Sequence, residues 1–278
     1  MGRYNSLDTG FDNPTTGIAL YNRKDRSKIF AFLHENNCNT FMLTLHGNEN
    51  HHNEIVQRDD AFAFLDKFSL LLMENNFTIV YNLMLNKYFV SDWEDIIGFL
   101  SNKKNYSCRL TIPLFVPTER LRSYQKYRAN YDECKGLVDK VEYIGINSKD
   151  YERKIERGNE RYIQRLVLGK WDYVEKNKNQ PQWAFFHIRQ DLDLFYGNAG
   201  LHTKYLGNIR NISVDELFEA ISLQKANYDY TAYYDISLLP DIDIISEYVT
   251  EDNLVYPDVE SCIYSWLDRY GVKPILIE

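Results

Sequence analysis

The sequence predicts an α/β fold with a parallel sheet in its first half, followed by a smaller α+β region. In the first 150 residues, short apolar runs alternate with helical patterns of 10 to 18 residues. This order is typical of β-α-β units with right-handed connections. The apolar runs show no polar–apolar alternation, which is typical of parallel strands buried on both faces. Near residue 150 the composition becomes polar and helical, and we place a domain boundary there.

Four apolar runs are candidates for strands of the parallel sheet. TFMLTLHG at 40–47 is short and bounded by a glycine, and FTIVYNLML at 77–85 is a second run of the same kind. CRLTIPLFVP at 108–117 is closed by prolines, and a weaker run, VEYIGI, follows at 141–146. Short apolar runs between turn residues are typical of buried strands. These segments therefore predict the strands of the first half.

Three helical patterns accompany these runs, at 26–37, 59–76 and 91–100. In the first two, apolar residues recur at the spacing of one helix face. The residues of these two faces are Ile29, Phe32 and Leu33, followed by Ala61, Leu65, Phe68 and Leu72. In the third pattern, Ser91 and Glu94 have the spacing of a capping box, which marks the start of a helix.

The second half has a different pattern. A polar helical stretch begins at 149 and is followed by the aromatic segment WAFFHIRQDLDLFYGN at 183–198. Its polar turn at Gln190–Asp193 predicts a β-hairpin. Next, SVDELFEAISLQ at 213–224 opens with Ser213 and Glu216, a second capping box. The sequence thus predicts an α+β region after residue 150.

Composition narrows the class of protein. The chain has 278 residues, is 44% hydrophobic and carries a net charge of −8. This is enough apolar sequence for a large core, and an acidic chain is a poor nucleic-acid binder because phosphate contacts need clustered Lys and Arg. No secretory signal and no apolar run of membrane length is visible, so we expect no membrane partner. The four cysteines are scattered and form no C-x-x-C, which predicts free thiols in a reducing cytoplasm.

Three histidines follow the first predicted strand. His46, His51 and His52, with Glu49 nearby, could ligate zinc, and the end of a parallel strand is a common place for an active site. A metal-dependent α/β hydrolase that uses these histidines is therefore one hypothesis. No helical H-x-x-x-H pair supports it, so the preferred interpretation is that no metal binds and that these are surface or loop histidines capping the following helix. No G-x-S-x-G and no phosphate-binding glycine loop is present.

The stretch TLHGNENHHNEIVQRDDAFAFLDKFSLLLMENNFTIVYNLMLNKY resembles a segment of radical S-adenosylmethionine (SAM) enzymes, particularly those with a SPASM-type C-terminal extension. Those enzymes show a strand ending in S-L-D-G, an H-D, an arginine, an aromatic helix start, a strand with V-x-N and a K-x-N. The corresponding residues are Thr44, His46, Gly47, His52, Asn53, Arg58, Phe62, Asn82 and Lys87. Phe89 replaces the last asparagine.

A later stretch, LDLFYGNAGLHTKYLGNIRNISVDELFEAI, resembles the hairpin and helix of the SPASM extension. The matching residues are Leu206, Gly207, Asn208 and Ile209, then Asp215, Glu216 and Leu217. Together the two resemblances cover about 44–117 and 183–221. They imply a partial β/α barrel of radical SAM type over 1–150, and a SPASM-like extension without cluster cysteines over 151–278.

The resemblance also implies a function and its cofactors. Intact relatives cleave SAM with a 4Fe–4S cluster and modify peptides or small molecules. The family's SAM pocket lies at the strand near Thr44 and the next two strands, so the candidate cofactor-binding residues are Thr44, His46 and Asn82, with Thr44 and Asn82 at ribose or methionine contacts. The implied partner is a peptide or small-molecule substrate. Catalytic residues stay unknown.

Two parts of the family pattern are missing from this sequence. The C-x-x-x-C-x-x-C that ligates the cluster is absent, and so is the G-G-E that binds the SAM amino group. We therefore expect no cluster in this chain, and an N-terminally incomplete or degenerate protein whose activity alone is doubtful. A partner chain could supply the missing barrel strands. The other hypothesis is a scaffold that binds a peptide or partner at the edge of the 183–198 hairpin.

Overall fold

A computed structural model describes residues 13–14, 17–177, 185–188, 191–198, 202–213, 215–216, 219 and 252–273. The chain divides into two compact units. The first unit comprises residues 1–114, 123–162 and 250–258, and the second comprises 115–122, 163–249 and 259–278. Because residues 250–258 return to the first unit, the units are not consecutive halves of the chain.

The sheet of the first unit is parallel, as predicted. Its strands follow one another in chain order, β1-β2-β3-β4. Their bounds are Asn13–Pro14 (β1), Thr40–Leu45 (β2), Thr78–Met84 (β3) and Tyr106–Thr111 (β4). The α/β class is thereby confirmed, whereas closure of these strands into a barrel stays a prediction.

Six helices connect these strands. They are α1 (Ile18–Tyr21), α2 (Arg26–Glu35), α3 (Glu49–Val56), α4 (Ala61–Glu74), α5 (Lys87–Ser91) and α6 (Trp93–Ser101). After β4, up to residue 177, come α7 (Glu119–Tyr124), α8 (Tyr131–Lys135), α9 (Ser148–Gly158) and α10 (Glu160–Asn177). Within the described residues, no helix is long and apolar enough to cross a membrane.

The core of the first unit lies between one face of the sheet and these helices. Alternate residues of β2 are buried, as are Ile79, Tyr81 and Leu83 of β3. The four α4 residues predicted to share a face, Ala61, Leu65, Phe68 and Leu72, are all buried. The face predicted for α2 was wrong in part, because Phe30 is the buried residue of that helix and Phe32 is 57% exposed.

Two further expectations need correction. Residues 141–146 do not form a strand: Val141–Ile144 is a 3-10 helix ended by Gly145 at a φ of 75°. Val141 and Ile144 are buried three residues apart, a spacing that places both on one side of a 3-10 turn. The strand predicted at 108–117 starts earlier and ends at Thr111, because the prolines beyond it cannot donate ladder hydrogen bonds.

The capping box predicted from Ser91 and Glu94 also does not form. The segment divides into two helices at Asp92, which is the N-cap residue of α6. The Ser91 hydroxyl donates instead to Asp92 Oδ1, at 2.9 Å. Ser91 is thus the last residue of α5, and a local motif was overridden by the contacts of its neighbour.

The second unit contains an antiparallel sheet of order β5-β6-β7 and helix α11. The bounds are Phe185–Ile188 (β5), Asp193–Asn198 (β6), His202–Asn208 (β7) and Val259–Arg269 (α11). Antiparallel pairing of β5 with β6 confirms the predicted hairpin, although its turn residue Gln190 lies outside the described residues. The capping box at Ser213 forms, since its N–H and hydroxyl donate to Glu216 at 2.8 and 2.7 Å. Most of the predicted helix at 213–224 lies outside the described residues.

Candidate functional site

The second face of the parallel sheet carries polar residues. Thr44 of β2 is paired in register with Asn82 of β3, and Asn82 with Arg109 of β4. Side chains at equal register on parallel strands point to the same face, so these three residues form a row across the sheet. The row lies near the carboxyl ends of the strands, where ligands bind in open α/β sheets. Two of the three predicted cofactor-binding residues, Thr44 and Asn82, are therefore neighbours.

Asn82 has a defined orientation in this row. Its Oδ1 accepts a hydrogen bond from the Thr111 hydroxyl at 2.5 Å, and its Nδ2 lies 3.5 Å from the Met84 sulfur. A thioether sulfur is a weak acceptor. The amide of Asn82 can therefore donate to a stronger acceptor on a ligand without losing a strong hydrogen bond.

Positive charge lies beside this row. Lys154 of α9 donates from Nζ to the backbone oxygen of Leu110, at 3.1 Å. Partial burial lowers the pKa of Lys154, and the nearby Arg109 guanidinium lowers it further. Two cations close to one end of β4 favour an anionic group on any molecule that contacts this face.

His46, the third predicted residue, is held through its backbone at the end of β2. Its carbonyl oxygen accepts a hydrogen bond from Asn86 Nδ2 at 2.9 Å. The same Nδ2 lies 3.3 Å from the Tyr124 hydroxyl, and Asn86 Oδ1 accepts the Phe89 N–H at the start of α5. Asn86 is fully buried, so it fixes the end of β2 against the start of the next connection.

His52 is a structural residue. Its Nδ1 accepts the backbone N–H of His46 at 3.3 Å, and its ring meets Phe62 edge-on. Burial lowers the pKa of His52 to about 4. The imidazole is therefore neutral at pH 7, as its role as an acceptor requires.

His51 points to different neighbours. Its Nδ1 lies 2.6 Å from Asp92 Oδ2, and its ring stacks on Tyr88 with centroids 3.7 Å apart. The rings of His46 and His52 are 5.6 Å apart. His46, His51 and His52 therefore lie near the same end of the sheet, but each histidine has its own hydrogen-bond partners. In the part of the chain that the structure describes, no group of three His, Cys, Asp or Glu side chains is arranged to hold a metal ion. The cap of α3 is Asn48, whose Oδ1 accepts the His51 N–H.

The cysteines do not fit an iron–sulfur cluster. Cys38, Cys134 and Cys262 are buried, and Cys108 lies within β4. Burial raises the pKa of the Cys108 and Cys134 thiols to about 12. All four cysteines of the chain lie among the described residues, where no three of them come together. The chain's own thiols therefore do not form a ligand set for the cluster that the resemblance implies.

A pocket of about 290 Å³ lies on the helix side of the β2 end. It is bordered by Gly47, Asn48 and Asp95, with apolar walls from Phe62 and Phe99. None of Thr44, His46 and Asn82 lines it. This pocket is therefore separate from the polar row on the opposite face of the sheet.

Sequence reasoning missed three residues of this region. Asn86 contacts the His46 carbonyl at the end of β2, and Tyr88 and Asp92 contact His51 on α3, in each case from about 40 residues away in the sequence. Their position in the sequence could have indicated them, because all three follow the next predicted strand. Adjacent parallel strands end at the same edge of the sheet. No short motif marks them.

Comparisons with known proteins give a structural likeness. No protein-family model matches the chain, and no curated protein matches it. Native anSMEcpe with bound AdoMet and Kp18Cys peptide is 12% identical, with a TM-score of 0.44, over 94% of this chain and 73% of that chain. A histidine-tagged form of anSMEcpe with bound AdoMet is 13% identical, with a TM-score of 0.45, over 94% and 69%. The low TM-scores leave the function of this chain to be argued from its own residues.

Proposed function

We propose that this chain is a radical SAM-like protein that binds S-adenosylmethionine on the polar face of its parallel sheet, and that its own cysteines do not support reductive cleavage of that ligand. The observation that carries the proposal is the register that places Thr44 beside Asn82. These are the two positions that the sequence resemblance assigns to ribose or methionine contacts.

The chemistry of the row suits this ligand. The Thr44 hydroxyl can donate and accept, and the Asn82 amide can donate, so both can bind ribose hydroxyls. Arg109 follows in the same register, and Lys154 holds its ammonium group at the neighbouring Leu110 carbonyl. Their charges favour the carboxylate of the methionine moiety. Hydroxyl, amide and cation thus follow one another along the row.

The second part of the proposal rests on the thiols. Three of the four cysteines are buried, and none shares a metal-binding group with two others in the described chain. A cluster in the working protein would therefore need ligands from outside this chain. Binding without cleavage is the activity that these residues support.

Calorimetric titration of the full chain with S-adenosylmethionine tests the proposal. We expect saturable heat, and weaker binding by about 3- to 10-fold in Thr44→Val, since one hydrogen bond contributes about 1 kcal/mol. Thr40→Val is a matched control, because Thr40 lies on the same strand four residues earlier, at the opposite end of β2. The control should bind like the wild type.

Two outcomes would contradict the proposal. Absence of heat at millimolar S-adenosylmethionine would mean that the chain does not bind this ligand. The peptide-binding scaffold would then be the better hypothesis. A stoichiometric 4Fe–4S cluster in the isolated chain, measured as iron and sulfide after anaerobic preparation, would overturn the part that concerns the cysteines.

A further inference from the structure

The contact between His51 and Asp92 has the geometry of a catalytic histidine and its orienting carboxylate. His51 is the third residue of α3, and Asp92 lies between α5 and α6. Their atoms Nδ1 and Oδ2 are 2.6 Å apart. A carboxylate on Nδ1 fixes the orientation of the imidazole and stabilises the imidazolium that forms when the other nitrogen gains a proton.

Asp92 is held in place by other donors. The Asn48 N–H donates to the same Oδ2 at 2.8 Å, and the Ser91 hydroxyl donates to Oδ1 at 2.9 Å. The Asp92 side chain is only 5% exposed. At Gly47, a Cβ atom would lie 2.7 Å from Oδ2, so the close approach of this turn to the carboxylate depends on glycine.

The tautomer of His51 follows from these bonds. Oδ2 of Asp92 can only accept from a neutral imidazole, so the proton of neutral His51 lies on Nδ1 and the Nε2 atom carries a lone pair. The ring is 32% exposed and lies flat on Tyr88, with an angle of 3° between the planes. A rigidly held, partly exposed imidazole with a basic Nε2 is thus present at the surface of the first unit.

Other charged groups face this ring. Glu54, one turn later on α3, accepts hydrogen bonds from the hydroxyl groups of Tyr88 and Tyr127 at 3.0 and 2.8 Å. Lys87 places its Nζ 5.0 Å from the centroid of Tyr88. With Asp92, these groups anchor the stacking partner of His51 and limit its motion.

We propose that His51 is a proton-accepting group of this protein, whose Nε2 takes a proton from the hydroxyl, thiol or amine of a molecule bound at this end of the first unit. The Nε2–H bond forms as the O–H, S–H or N–H bond of that molecule breaks, and its electron pair stays on the bound molecule. Asp92 is a positioning residue that stabilises the imidazolium so formed. The proposal does not depend on the binding of S-adenosylmethionine.

The alternative is that the pair only ties α3 to α5. The two roles differ in the reactivity of Nε2, which a structural contact would not raise. Diethyl pyrocarbonate measures this reactivity: the Nε2 lone pair forms a bond to a carbonyl carbon, the C–O bond to the leaving ethyl carbonate breaks, and the Nδ1 proton is lost to the carboxylate or to water.

The test is acylation of the folded full chain by diethyl pyrocarbonate at pH 7. Mass spectrometry gives the acylation rate of each histidine, and 15N spectra of the imidazoles give the tautomer. We expect the Nδ1–H tautomer at His51, and acylation about tenfold faster than at the same residue in the urea-unfolded chain. Asp92→Asn should keep the tautomer, because its amide oxygen can replace Oδ2, but lower the rate about tenfold toward the unfolded value. Asp95→Asn is the control, since Asp95 contacts the Asn48 side chain instead, and its rate should match the wild type. An Nε2–H tautomer, or a wild-type rate no higher than that of the unfolded chain, would overturn the proposal.

Discussion

Asp92 Oδ2 lies 2.6 Å from His51 Nδ1 and 2.8 Å from the backbone nitrogen of Asn48. One oxygen atom therefore joins the turn after β2 to the junction of α5 and α6, across more than 40 residues of sequence. A buried carboxylate that receives several charge-assisted hydrogen bonds is a strong local constraint. The geometry of the turn after β2 is therefore determined by the contact with Asp92 as well as by the sequence of the turn.

The first prediction concerns the glycine in this turn. In Gly47→Ala the new Cβ would lie 2.7 Å from Asp92 Oδ2 and 3.1 Å from the Tyr88 Cβ. We expect the free energy of unfolding to fall by about 2 kcal/mol, as for other overpacked sites. Gly98→Ala is the matched control, because a Cβ there meets no atom within 4 Å and the residue lies inside α6. The control should gain about 0.5–1 kcal/mol. Urea denaturation measures both, and a Gly47→Ala protein as stable as the wild type would contradict the contact.

A second prediction concerns Arg128, which is 4% exposed. Its Nη1 donates to the carbonyl oxygens of Pro113 and Val255 at 2.8 and 3.0 Å, and its guanidinium lies 4.1 Å from the Tyr256 ring centroid. Lysine cannot reproduce this planar set of donors. Arg128→Lys should therefore lower the free energy of unfolding by about 3 kcal/mol, because buried acceptors lose their donors.

The control for Arg128 is an exposed arginine. Arg153 has a side chain that is 63% exposed and pairs with Asp150 three residues away. Arg153→Lys should change the free energy of unfolding by less than about 0.5 kcal/mol. Equal effects of the two substitutions in urea denaturation would mean that Arg128 does not hold residues 113 and 255 together.

The parts of the fold that the sequence predicted depend on local patterns. The buried face of α4 followed from the spacing of Ala61 and Leu65 with later apolar residues, and the start signal at Ser213 produced the capping box it predicts. The parallel sheet followed from the alternation of strands and helices. In each case the interactions that determine the structure join residues that are close in sequence, or that belong to one β-α-β unit.

The parts that could not be predicted depend on distant contacts. Ser91 had the spacing of a helix cap, but its hydroxyl is used by Asp92, whose other partners lie near residue 50. Val141 and Ile144 looked like strand residues, yet a 3-10 turn buries both. The pairing of His51 with Asp92 has no sequence signature, since it arises only when two connections meet at the sheet edge. The resemblance singled out Thr44 and Asn82 as candidate positions, but it did not predict that they are paired in register on adjacent strands.

The last prediction concerns pH and His52. Burial lowers its pKa in the folded chain to about 4 from an ordinary value of 6.5. Well above pH 6.5 neither the folded nor the unfolded state binds this proton, so the contribution of His52 to stability is complete. As the pH falls from 6.5 to about 4, the unfolded state gains the proton first and stability is lost. The loss should reach about 3 kcal/mol, because each pKa unit corresponds to about 1.4 kcal/mol.

Urea denaturation of wild type and His52→Asn between pH 4 and pH 7 checks this expectation. The asparagine side chain does not titrate, and its oxygen can still accept the His46 N–H that Nδ1 accepts in the wild type. The stability of the variant should therefore fall less on acidification, with the wild type losing about 3 kcal/mol more than the variant between pH 7 and pH 4. His34→Asn, a substitution on α2, shows whether removal of any histidine has this effect. Parallel curves for wild type and His52→Asn would mean that His52 is not buried as a neutral acceptor beneath the end of β2.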